Sequence, residues 1–66
     1  MIEKIKELIT NIENKYRETN NKTLIHKLSG IADMCSILHK SGVIHILQLN
    51  TLLKKINKLM QFILKN

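Results

Sequence analysis

The stretch ILHKSGVIHILQLNTLLKKINKLMQFIL, residues 37–64, decides how this chain is read. Its first residues close one helix, Gly42 stops it, and a long amphipathic helix follows. Lys40 in the last turn and glycine just past it are the residues that satisfy the orphan carbonyls of a helix end. From there a helix over 44–65 is expected, either capped by His45 or starting at Val43. Ile46, Leu49, Leu52, Leu53, Ile56, Leu59, Met60 and Ile63 recur at helical spacing and form one apolar face. Lys54, Lys58, Gln61 and Lys65 fall opposite, with Lys55 to one side, and Leu47 and Phe62 fall towards the polar side. Two large apolar groups on a polar face suit a dimer seam or a partner site.

Working outward, residues 2–18 place Ile2, Ile5, Ile9, Ile12 and Tyr16 at alternating spacings of three and four, a heptad stripe widened by Leu8. Glu13 and Arg17 are one turn apart, where opposite charges attract weakly. The run ETNNKT, residues 18–23, is the break, with Asn21 or Thr23 as candidate caps of the next helix. A second helix over 22–40 carries Leu24, Ile25, Leu28, Ile31, Ala32, Met34, Cys35 and Leu38. Gly30 lies inside it, a position that costs about 1 kcal/mol relative to alanine, so close packing is expected there. Lys27 sits beside the apolar sector and has to reach outward to water.

The expected fold is all-α: a small three-helix bundle forming a single domain over 1–66, with helices at 2–18, 22–40 and 44–65. The last two pair as an antiparallel hairpin that the first covers. A chain of 66 residues hides only about 60% of its unfolded surface, so its core is thin. One cysteine rules out an internal disulfide, which leaves self-association as the natural reinforcement. A homodimer is therefore expected, with the first-helix stripe a candidate for its seam. Absent proline, two glycines and two aromatic residues argue against β-architecture.

The formal net charge of +6 is unevenly placed. Residues 1–18 cancel, four acids (Glu3, Glu7, Glu13, Glu18) against four bases (Lys4, Lys6, Lys15, Arg17). Beyond them seven lysines (Lys22, Lys27, Lys40, Lys54, Lys55, Lys58, Lys65) face Asp33 alone. Such asymmetry points to an anionic partner. The start MIEKIKELI lacks a continuous apolar run, and no span of about 18 uncharged apolar residues exists, so a cytoplasmic location is expected. Richness in Ile, Lys and Asn fits an AT-rich genome, such as a low-GC bacterium or its phages.

The segment from Leu38 to Ile44, L-x-x-x-G-x-I followed by leucines at helical spacing, looks like the short helical hairpins at the ends of many bacterial and phage proteins. It is similar to SHOCT modules. Those carry Thr or Ser as cap and an acid shortly after, where this chain has His45 and Gln48. The resemblance covers less than half the chain and implies a helical hairpin, with no function attached.

Candidate chemistry is sparse. Cys35 and His39 are one turn apart and His45 returns across the glycine, yet a fourth zinc ligand is missing, so no metal or cofactor is expected. As a nucleophile and base, Cys35 and His39 lack the open, electropositive pocket a reactive thiolate needs, and no phosphate loop or paired carboxylates exist. An enzyme is not expected. A helix-turn-helix would put Val43, Ile44, His45, Ile46 and Leu47 at the groove-reading end, too apolar to read bases. Phosphate contact by the lysines is the runner-up reading. A membrane surface is the weaker third, because the last helix's apolar face is needed by the other two. The leading expectation is a non-enzymatic regulator, inhibitor or adaptor of phage or mobile-element type. It binds a larger acidic protein through Lys54, Lys55, Lys58, Lys65, Leu47 and Phe62.

Overall fold

The computed structural model describes residues 1–65 and contains three helices: α1 (Ile2–Thr19), α2 (Leu24–Lys40) and α3 (Ile46–Lys65). Each packs against the other two, giving a body of 35 × 19 × 15 Å whose long axis matches the length of α3. The all-α expectation holds. The boundaries shift slightly: α1 runs one residue further than 18, α2 begins at Leu24 rather than 22, and α3 begins at Ile46 rather than 44.

Each end has a local cause. Asn20 takes a left-handed conformation (φ 53°, ψ 28°), and its N–H donates to the Tyr16 carbonyl to close α1. Asparagine is one of the few residues with a side chain that adopts that region readily, because its short amide can hydrogen-bond locally. Asn21 then accepts from the Thr23 N–H through Oδ1 at 3.1 Å and from the Thr23 hydroxyl at 2.6 Å. This turn delays α2, because residues 22 and 23 are used to enter it. Between the two candidate caps, Asn21 supplies the accepting oxygen and Thr23 does not.

The end of α2 is a Schellman closure. Val43 N–H donates to the Leu38 carbonyl at 2.9 Å and Gly42 N–H to the His39 carbonyl at 3.0 Å. Gly42 sits at φ +78°, the left-handed geometry that glycine adopts without penalty. Across this turn His39 Nδ1 donates to the Ile44 carbonyl at 3.1 Å. His45 opens α3: its Nδ1 accepts from the Leu47 N–H at 3.2 Å, while Gln48 Oε1 accepts from the His45 N–H at 2.9 Å. This is a variant of a capping box, with imidazole in place of hydroxyl and its bond made to the second helical N–H rather than the third. Of the two starts open in the sequence, the His45 cap is the one adopted.

The core joins Ile5, Ile9, Ile12 and Tyr16 of α1 with Leu24, Leu28 and Cys35 of α2 and Leu49, Leu52, Ile56, Leu59 and Ile63 of α3, closed at one end by Ile44. Leu28, Cys35, Leu52, Ile56 and Ile63 are fully enclosed. The α1 stripe packs inside its own chain, where Ile5, Ile9, Ile12 and Tyr16 are buried. One expectation is corrected here. Gly30 has no close neighbour, since a Cβ placed there meets nothing within 4 Å. It lies on the open side of α2, and a helical wheel records where a residue points but not whether another helix approaches.

Candidate interaction surface

The six side chains singled out in the sequence all lie exposed on α3, in two neighbouring stripes. Leu47, Lys54, Lys58 and Lys65 recur at spacings of seven, four and seven, which returns them to one outer line. Lys55 and Phe62, seven apart, form the line beside it. Leu47 and Lys65 are about 27 Å apart along the axis at 1.5 Å per residue, so the set spans the whole helix.

Lys55, Lys58 and Phe62 are brought together with α1. They line a groove of about 340 Å³ between α1 and α3, floored by Ile9 and Leu59 and edged by Thr10, Glu13 and Arg17. Leu47, Lys54 and Lys65 do not line it. Arg17 Nη2 meets Glu13 Oε2 at 2.9 Å, an exposed pair on one helix worth only a few tenths of a kcal/mol. Among the described residues, no carboxylate pairs with Lys54, Lys55 or Lys58. Arg17 is the groove residue that sequence reasoning passed over. Its charge was visible as half of an i,i+4 pair, but its place beside Lys55 depends on how α1 and α3 dock.

Phe62 has a structural role as well. Its ring meets Tyr16 edge-to-face, with centroids 6.0 Å apart and planes at 82°. Such a pair adds about 0.5–1.5 kcal/mol beyond the area it buries. Phe62 remains 46% exposed, so it presents one face to α1 and another to solvent. Leu47, at 69%, is the most exposed large apolar side chain on α3.

The residues that raised the question of metal or nucleophilic chemistry have other employment. Cys35 is buried in the core, which pushes its thiol pKa upward through desolvation, away from the thiolate a nucleophile or ligand requires. His39 and His45 hold the backbone of the turn. Among the described residues, no three His, Cys, Asp or Glu side chains gather as a metal-binding group. No helix of the described residues is long and apolar enough to cross a membrane.

A larger cavity lies on another side. Between α1 and α2, about 610 Å³ opens over Leu8, Ile12, Ile31 and Met34, with Lys15 and Lys27 at its rims and Gly30 at its edge. The apolar stripes of α1 and α2 were legible singly, but the gap between them was not.

Comparison of the chain with protein-family models, curated proteins and solved structures finds no match.

Proposed function

We propose that this protein is a small non-enzymatic regulator, of inhibitor or adaptor type, that binds a larger acidic protein through α3 and the adjoining edge of α1. The supporting observation is the α1–α3 groove, where Lys55 and Lys58 stand opposite the Arg17–Glu13 pair around an apolar floor of Ile9, Leu59 and Phe62. Unpaired ammonium groups beside apolar area fit a partner segment with carboxylates flanking a hydrophobic anchor. Lys54, Lys65 and Leu47 extend the same surface along the outer line of α3.

In this reading α2 and α3 form the antiparallel hairpin on which α1 is laid. The protein works in the cytoplasm as a homodimer, in a phage or mobile-element setting. Ile37, Val43 and Ile46, all exposed around the α2–α3 turn, supply the apolar area for the dimer seam. The seam thereby avoids the lysine lines.

The second reading has the same lysines binding DNA or RNA phosphates. Among the described residues Lys54, Lys55 and Lys58 have no carboxylate partner, which favours it equally; the apolar floor favours a protein. Elution from immobilised mixed-sequence DNA over a salt gradient separates the two. A steep salt dependence, set by several phosphates, supports nucleic acid. Elution at low salt, combined with capture of a defined partner that Lys54→Glu/Lys55→Glu/Lys58→Glu abolishes, supports the protein reading. If the triple variant retains every partner, the surface is misassigned.

A further inference from the structure

We infer that the α1–α2 groove is a second docking site, which takes an amphipathic helix carrying carboxylates along the flanks of its apolar stripe. The groove is separate from the α3 lysines and does not depend on their role.

Its floor is apolar: Ile12 and Ile31 belong to or pack against the core, while Leu8 and Met34 remain substantially exposed. At about 610 Å³ it exceeds the lysine-edged groove, and its lining runs from Leu8 to Lys15 on α1 and from Leu24 to Met34 on α2, about two to three helical turns. Both charged residues in its lining are lysines, Lys15 on α1 and Lys27 on α2, and no acid lines it. Lys4 extends the same side of α1, four residues before Leu8 and eleven before Lys15. Cations along an apolar trough complement an apolar stripe bordered by Glu or Asp. Gly30 adds room, because its missing side chain leaves open space where the guest's backbone would approach.

A second copy of the chain fits this groove poorly. Groove-to-groove pairing would bring together two linings whose only charged residues are lysines. The alternative guest face, Ile46, Leu47, Phe62 and Leu64 of a twin, rides on α3, whose only charged residues are lysines. Electrostatics therefore selects an acidic helix from another protein.

The test uses isotope-labelled full-length protein and two synthetic helical peptides. One has leucines at alternating spacings of three and four with flanking glutamates; the other has lysines in place of the glutamates. The glutamate peptide is expected to shift the methyl signals of Leu8, Ile12, Ile31 and Met34, and the lysine peptide to leave them unmoved. Lys15→Glu/Lys27→Glu is expected to weaken the glutamate peptide roughly tenfold or more. Gly30→Leu, which fills the notch at a position open to added atoms, is expected to block it while the circular dichroism stays native. The inference is overturned if the glutamate peptide moves none of these methyls. It is equally overturned if the lysine peptide binds as well, if both variants bind like the parent, or if the same methyls shift on raising the protein concentration alone.

Discussion

Gln48 holds His45 at the start of α3: its side-chain carbonyl oxygen accepts from the His45 N–H, and the His45 imidazole Nδ1 in turn accepts from the Leu47 N–H. Acceptance at Nδ1 puts the imidazole proton on Nε2. His39 uses the opposite tautomer or the protonated ring, since its Nδ1 donates to the Ile44 carbonyl. Two histidines six residues apart thus serve one turn in opposite senses. Ile44 and Leu49 flank the box at the positions of a hydrophobic staple, and both are buried.

The first prediction concerns this box. His45→Ala and Gln48→Ala should each destabilise the fold by about 1 kcal/mol, the usual worth of an N-cap. Because they act on one motif, the double variant should lose less than the sum. His45→Ser or His45→Asp should hold or raise stability, since those side chains cap more effectively. Urea unfolding followed by circular dichroism measures all four.

The two glycines should respond in opposite directions. Gly30→Ala meets no neighbour and gains helix propensity, so stability should rise by about 1 kcal/mol. Gly42→Ala forces a side chain into φ +78° and should cost about 1 kcal/mol or more. For a domain this small, each kcal/mol moves Tm by about 4–8 °C, well within calorimetric reach.

Cys35 should react with iodoacetamide only through unfolding, as its thiol is buried and its pKa is raised. The raised folded pKa has a definite sign. Stability is full below the thiol's ordinary pKa and declines as the pH rises towards the folded value, because the unfolded chain ionises first. Denaturation midpoints across the alkaline range should fall less steeply in Cys35→Ala than in the parent.

Core and surface leucines should separate cleanly. Leu28→Ala or Ile56→Ala, each fully buried, should cost about 2–5 kcal/mol and bring so small a fold close to unfolding. Leu47→Ala should change stability by under about 0.5 kcal/mol while weakening partner capture. An unstable Leu47→Ala would mean that its side chain supports the fold rather than a guest.

What the sequence made legible was the local chemistry. The heptad of isoleucines in α1, Gly42 as a stop and the apolar face of α3 from Leu49 to Ile63 are signals that tertiary packing did not overturn, although Ile46, read into that face, is 44% exposed. The start of α3 was misplaced because Ile44 continues the apolar pattern although it serves as the staple residue before the cap. Gly30 was misread because an open flank and a tight approach demand the same small residue. Phe62 looked surplus until Tyr16, forty-six positions away, supplied its ring partner. The Arg17 edge and the α1–α2 cavity were invisible for a shared reason: both arise between helices, from separations that no single periodicity encodes.

The interior carries a further implication. Apart from the Tyr16 hydroxyl and the Cys35 thiol, the enclosed side chains among the described residues are aliphatic. Grease of this kind rewards many alignments almost equally and pins none of them. The 41–45 connector therefore does much of the indexing: it carries the Gly42 closure of α2, the buried Ile44 and the His45 cap of α3, and losing one residue would break at least one of these anchors. Insertions or deletions in those five positions should be tolerated far less than in most surface loops.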